Sequence, residues 1–172
     1  MEIPRDFLRT VALFQDLDGD ALATLGALLV SKKAAAGAVI FRELDDSDAL
    51  YLVEAGEVVI SKHVHGPVDV VLTTFRGGDF FGEMGLFDAA PRSATAQAKV
   101  DAMLWRLDRK AFMHILSDHP QIAAKMCYRL VSVFIERLRS TNEQAREAIR
   151  WGLEATGYSP TATRALFDRK ST

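Results

Sequence analysis

An α+β fold, with short antiparallel strands rolled up between helices, is what this sequence predicts, and three observations predict it. Apolar residues recur at helical spacing before about residue 37 and again after Asp108. Between Gly37 and Leu107 the pattern changes to brief β-branched and aromatic runs punctuated by glycine, aspartate and proline. Many short strands at regular spacing favour an antiparallel roll or barrel, because closure removes exposed sheet edges.

The elements follow in order. Phe7, Leu8, Val11, Ala12 and Phe14 fall at helix-like spacing. Asp18 can cap a second helix, whose Leu22, Leu25, Leu28 and Leu29 form one apolar stripe suited to core packing. Residues 38–41 read as the first strand, and the acidic stretch Glu43 to Asp48 as a loop. Two strands flank the Ala55-Gly56 turn, the segment 63–69 turns back at Gly66-Pro67, and the β-branched run 68–75 makes another strand. Residues 94–107 hold two further strands around Val100-Asp101.

Asp108 caps a helix that ends near Asp118, and Pro120 suits the first turn of the next, which runs to about Arg150. Along it Ala124, Cys127, Val131, Phe134, Leu138, Thr141, Ala145 and Ala148 follow a heptad-like a/d spacing. A helix of that length needs a partner for its stripe, so a homodimer through this helix is expected. Gly152, Gly157 and Ser159-Pro160 are read as interrupting helix. Residues 1–150 therefore form one domain that includes the long helix, and 151–172 a tail whose Trp151, Tyr158 and Phe167 are available to dock on the roll.

Composition narrows the class. The chain has 172 residues, 49% of them hydrophobic and 26% charged, as in soluble globular proteins. A formal net charge of −2 provides no field that draws the chain to nucleic acid or anionic lipid. Cys127 is the single cysteine, so no internal disulfide framework exists. No signal-like core and no membrane-length apolar run is present, and the expected location is the cytoplasm, without membrane attachment.

Residues 78–95 carry the functional signal. Glycines at 77, 78, 82 and 85 let the backbone turn sharply and approach a ligand. Met84 to Ala89 can form one helical turn, whose free first N–H groups favour an anion. Arg92, stiffened by Pro91, offers a planar donor fork that matches phosphate oxygens, and Ser93 adds a hydroxyl. Glu83 would repel phosphate unless it faces a hydroxyl donor, and a ribose 2′-OH is such a donor. The local chemistry thus points to a sugar phosphate.

The segment resembles the phosphate-binding cassette of cyclic-nucleotide-binding domains, the family that includes the catabolite activator protein and protein kinase A regulatory subunits. The matching residues are Gly78-Asp79, Gly82-Glu83-Met84-Gly85-Leu86 and Pro91-Arg92-Ser93-Ala94-Thr95, with Phe14, Leu17, Gly37, Ile40, Leu50-Tyr51 and Gly56 in support. The resemblance covers about residues 8 to 140 and implies an eight-stranded, jelly-roll-like β-roll (a double-stranded β-helix) between N-terminal helices and two C-terminal helices.

By that resemblance Glu83 holds the ribose 2′-OH, Arg92 the exocyclic phosphate oxygens, and the Gly85 N–H with the N–H and hydroxyl of Ser93 completes the anion site, while Gly82 provides the turn. Leu86 belongs to the same binding segment. Met84, Val70, Leu72 and Ala94 wall the sugar and base; Arg129 adds charge near the phosphate; Phe134 or Val133 covers the base, with Trp151 and Tyr158 as alternative lids. The expected ligand is cAMP in preference to cGMP, with no catalytic residue, cofactor or metal ligand. About twenty residues follow Arg150, too few for a helix-turn-helix, so the expected output is an unidentified downstream protein and not direct DNA binding. Two alternatives remain open: a degenerate interaction module that binds no nucleotide, and a cupin-like metal enzyme built on His63, His65 and Asp69.

Overall fold

The computed structural model describes residues 3–65 and 68–156. The chain falls into two compact units, Met1–Arg129 and Leu130–Thr172.

The first unit opens with α1 (Arg5–Thr10), a 3₁₀ turn at Ala12–Phe14 and α2 (Gly19–Leu28). Asp18 caps α2 by accepting the Ala21 N–H at 2.9 Å, the role its position predicts. Leu8, Val11, Leu13, Phe14, Leu22 and Leu25 are buried, whereas Leu28, at the last position of α2, is only half-buried.

Among the described residues eight strands follow: β1 (Val30–Ala34), β2 (Val39–Phe41), β3 (Ala49–Ala55), β4 (Val58–His65), β5 (Val68–Phe75), β6 (Phe80–Phe81), β7 (Thr95–Ala98) and β8 (Ala102–Asp108). Between β6 and β7 lies α3 (Met84–Phe87). The strands form two four-stranded sheets, ordered β1-β8-β3-β6 and β2-β7-β4-β5, with every pairing antiparallel. This is the predicted β-roll. Its core draws on both sheets: Tyr51, Val53, Phe81 and Leu104 from the first, Ile40, Val58, Ala96 and Ala98 from the second. Alternation places Trp105 on the other face of β8, where its indole N–H donates to Glu54 at 2.6 Å.

Two strands escaped the sequence reading. β1 carries Lys32 and Lys33 and has only Ala34 buried, so its apolar alternation is weak; pairing with β8 from Val30↔Arg106 to Ala34↔Ala102 makes it a strand. β6 has two residues, too few for any periodicity, and is held by Tyr51↔Phe81 and Leu52↔Phe80.

The roll ends in α4 (Arg109–Asp118), which Asp108 caps through Ala111 N–H at 2.7 Å. Helix α5 (Pro120–Ala155) then runs for 36 residues and crosses the boundary between the units. In its first turns Ala123 and Met126 are buried and Ala124 is exposed, so the stripe that packs is not the a/d series read from the sequence. Gly152 does not interrupt the helix: a single glycine costs only about 1 kcal/mol relative to alanine, and α5 continues to Ala155. Gly66, Pro67, Gly157, Tyr158, Ser159, Pro160 and Phe167, to which turn or tail roles were assigned, lie outside the described residues. Among the described residues no helix is long and apolar enough to cross a membrane.

Candidate functional site

The cassette residues converge on the buried side chain of Arg92. Gly82 occupies the left-handed region at φ 76°, and its carbonyl accepts from Arg92 Nη1 at 3.1 Å. The same Nη1 donates to the carbonyl of Ala49, the first residue of β3, at 2.9 Å. The guanidinium carbon lies 4.1 Å from the Phe41 ring centroid and 5.8 Å from that of Tyr51. Those rings belong to an aromatic group inside the roll, with Tyr51–Phe81 at 5.4 Å and Phe75–Phe81 at 5.7 Å. The main chain of Arg92 is fixed as well: its N–H donates to Asp45 O at 2.8 Å and its carbonyl accepts from Leu44 N at 2.9 Å.

Arg92 is 4% exposed, and its Nε–H is a buried donor without a hydrogen-bond partner. Glu83, beside it in the field that acts on the guanidinium, is also buried. Burial lowers the Arg92 pKa from its ordinary value, and Tyr51, Asp48 and Glu83 oppose the shift. Asp48 lies 3.7 Å from Arg92 Nη2 and 2.6 Å from Arg106 Nη2, so one carboxylate serves two arginines. Burial works against the charge of Arg106, but Asp48, Tyr51 and Asp108 outweigh it and raise its pKa.

The other predicted residues divide into two groups. Met84 is exposed at the start of α3, Gly85 and Leu86 are buried within it, and Ser93 and Ala94 follow Arg92. The Ser93 carbonyl accepts from Lys62 Nζ at 3.0 Å, and Lys62 in turn pairs with Glu43 at 3.0 Å. The first N–H groups of α3 are not free as expected: Gly85 N–H donates to Gly82 O at 3.1 Å and Leu86 N–H to Glu83 O at 3.0 Å. The tight turn uses its own carbonyls, while the Arg92 Nε–H is a buried cassette donor that no protein group meets.

Val70 and Leu72 are exposed on β5, the edge strand of its sheet, and do not form a wall closed by protein. The Arg129 guanidinium forms a two-pronged ion pair with Asp16. That pair holds the start of α5 to the N-terminal helical segment, a long-range contact that no local motif signals. Phe134 and Val133 lie half-buried on α5 in the second unit, where Trp151 is exposed. His63 pairs with Asp69 at 3.1 Å, but among the described residues no three His, Cys, Asp or Glu side chains gather as a metal site requires. Sequence reasoning missed Phe41, Asp48, Lys62 and Arg109, which come to the cassette from distant strands, a loop and the first turn of α4.

Residues 31–119 match the family described as cyclic nucleotide-binding domain. The chain belongs to the cyclic nucleotide-binding domain family. This cyclic nucleotide-binding domain is 35% identical over 147 residues to a cAMP-dependent protein kinase regulatory subunit of Blastocladiella emersonii, covering 86% of this chain and 36% of that protein. Among solved structures, the N-terminal domain of a transcriptional regulator from Streptomyces coelicolor superposes with a TM-score of 0.69 at 30% identity, covering 81% of this chain and 95% of that one. The regulatory domain of Toxoplasma gondii PKA, crystallised with cAMP, gives a TM-score of 0.60 at 37% identity over 64% of this chain and 42% of that one. The chain thus spans about a third of the length of the Blastocladiella relative. Its family consists of cyclic nucleotide-binding regulatory modules.

Proposed function

We propose that this chain is a cytoplasmic cAMP sensor, with cAMP preferred to cGMP, and that it catalyses no reaction on its ligand. The observation that carries the reading is the buried Arg92 with an unpaired Nε–H. Buried donors in native proteins are almost always satisfied, and an unpaired one costs about 1–3 kcal/mol. A cyclic phosphate would meet that donor with a charge-assisted hydrogen bond, the stronger kind. The exposed Ser93 beside it supplies a second contact to the phosphate. Buried Glu83 accepts the ribose 2′-OH, and the aromatic group around Phe41, Tyr51 and Phe81 gives the roll a dry interior behind the phosphate. The preference for cAMP is supported by the relatives named for it. Intact Glu83 and Arg92, both buried, favour this reading over a degenerate module.

The signal passes through α5 to a second copy of the chain and from there to a downstream protein. Within the second unit Val131, Ile135, Leu138 and Ile149 are exposed, and with Asn142 and Ala145 they alternate at four- and three-residue spacing. This seam shares Val131, Leu138 and Ala145 with the one read from sequence and is displaced from it elsewhere. Sedimentation of wild type and Leu138→Glu tests it; a monomeric wild type overturns the dimer.

Calorimetric titration of nucleotide-stripped protein with cAMP and cGMP, beside Arg92→Ala and with thermal melts to verify folding, tests the sensor reading. Saturable cAMP binding that weakens at least about tenfold in the variant, or about 1.4 kcal/mol, supports it. Folded wild type that binds neither nucleotide removes it and leaves the interaction module.

A further inference from the structure

We infer that Arg109 is the positioning residue that preorganises the cassette, an assignment that rests on the sensor reading above. Arg109 Nε donates to the Gly85 carbonyl at 2.7 Å, and its Nη2 donates to the carbonyls of Ser47 (2.5 Å) and Asp88. Its own N–H donates to Asp48 O at 2.7 Å. One residue therefore ties together α3, the loop before β3 and the first turn of α4.

Helix α3 needs such a support. It has four residues, one turn, and Glu83 at its N-cap makes no side-chain capping bond. A single turn does not sustain itself, because nucleation fixes several dihedrals for one hydrogen bond. The carbonyls at its C-terminal end lack intrahelical partners, and a cation there also meets the negative end of the helix dipole.

The position of Arg109 on its own helix points the same way. It is the first residue of α4, followed by Lys110, and the first turn of α4 contains no acidic residue. Asp108 meets that end of the helix as its N-cap, but two cations in the first turn still oppose the dipole. A choice that is locally unfavourable is explained when its gain lies elsewhere, and here the guanidinium reaches the C-terminal end of α3. Gly85, which it holds by the carbonyl, is tightly enclosed: a Cβ there would lie 2.6 Å from Ser47 Oγ and 3.2 Å from Arg92 Nη1. Arg109 thus sets the spacing between Gly85 and the arginine assigned to the phosphate without touching the ligand.

Amide hydrogen exchange and cAMP titration of wild type, Arg109→Ala, Arg109→Lys and Asp18→Ala test this. In nucleotide-free Arg109→Ala the amides of Gly85, Leu86 and Asp88 are expected to exchange at least about tenfold faster, while those of β3 and β8 keep their protection. The cAMP affinity is expected to fall by about tenfold to a hundredfold, with Arg109→Lys in between because an ammonium lacks the guanidinium fork. Asp18→Ala, which removes the α2 cap, lowers stability and leaves cassette exchange and affinity unchanged. Unaltered cassette exchange in folded Arg109→Ala, or faster exchange spread evenly over the roll, overturns the assignment. The exchange arm uses no ligand, so a wild type that fails to bind cAMP refutes the sensor reading alone.

Discussion

Replacing Gly82 by alanine separates two effects that the cassette combines. The first is conformational: Gly82 sits at φ 76°, where an L side chain costs about 1–2 kcal/mol. The second is contact: a Cβ there would lie 2.8 Å from Arg92 Nη1 and 3.0 Å from Ala49 O. The bonds from Nη1 to Gly82 O and Ala49 O must then lengthen or break, and hydrogen bonds to charged groups are worth about 1.5–3 kcal/mol each. Gly37 is the matched control, with φ 79° and nothing within 4 Å of its would-be Cβ. Gly37→Ala is expected to lose about 1–2 kcal/mol of stability from strain alone and to keep full cAMP affinity. Gly82→Ala is expected to lose about 2–4 kcal/mol by strain and partial loss of one bond, together with at least about tenfold in affinity. Urea unfolding gives the first quantity and calorimetric titration the second. Equal stability losses and wild-type affinity in both variants would show that the geometry around Gly82 does not position Arg92.

Other substitutions probe the remaining contacts. Leu44 is the one described non-glycine residue with positive φ, at 71°, and its side chain is 76% exposed; Leu44→Gly is expected to gain about 0.5–1 kcal/mol net, as strain relief exceeds the added unfolded-state entropy, read as a higher urea midpoint. Arg129→Ala is expected to leave cAMP affinity within twofold (about 0.4 kcal/mol), because Arg129 is committed to Asp16; a tenfold loss would return it to the binding site. The carboxylates of Asp16, Glu43 and Glu57 are held below their ordinary values of 3.8, 4.5 and 4.5 by hydrogen bonds from Arg129, from Lys62, and from Lys99 and Arg76. Their contribution to stability is therefore complete above about pH 5 and is lost as pH falls through their lowered folded-state values. The urea midpoint should decline between pH 5 and pH 3, and less steeply in Glu57→Gln; a steeper decline in that variant would contradict the assignment.

The sequence by itself determined the class of fold and the identity of the cassette. Short alternating runs announced most strands, because the pleat repeats every two residues and the roll buries one face. Asp18 and Asp108 announced helix starts, because a cap is a local bond to an N–H three residues on. Glu83, Gly85 and Arg92 fell within ten residues of one another, so their combined chemistry was legible before any fold was known. Only the tertiary structure decided what lies around them. Phe41, Asp48 and Arg109 reach the cassette across sequence separations that no periodicity encodes, and Asp16 captures Arg129 from 113 residues away. The pairing of β1 and β6 was settled by their neighbours, since a lysine-rich edge strand and a two-residue strand carry little pattern of their own. The packed stripe of α5 was likewise fixed by tertiary packing, which buries Ala123 and Met126, and not by the heptad spacing that the helix also contains. Patterns a few residues long record local hydrogen bonding and the burial of one face; which distant side chain meets a given arginine depends on how the sheets close.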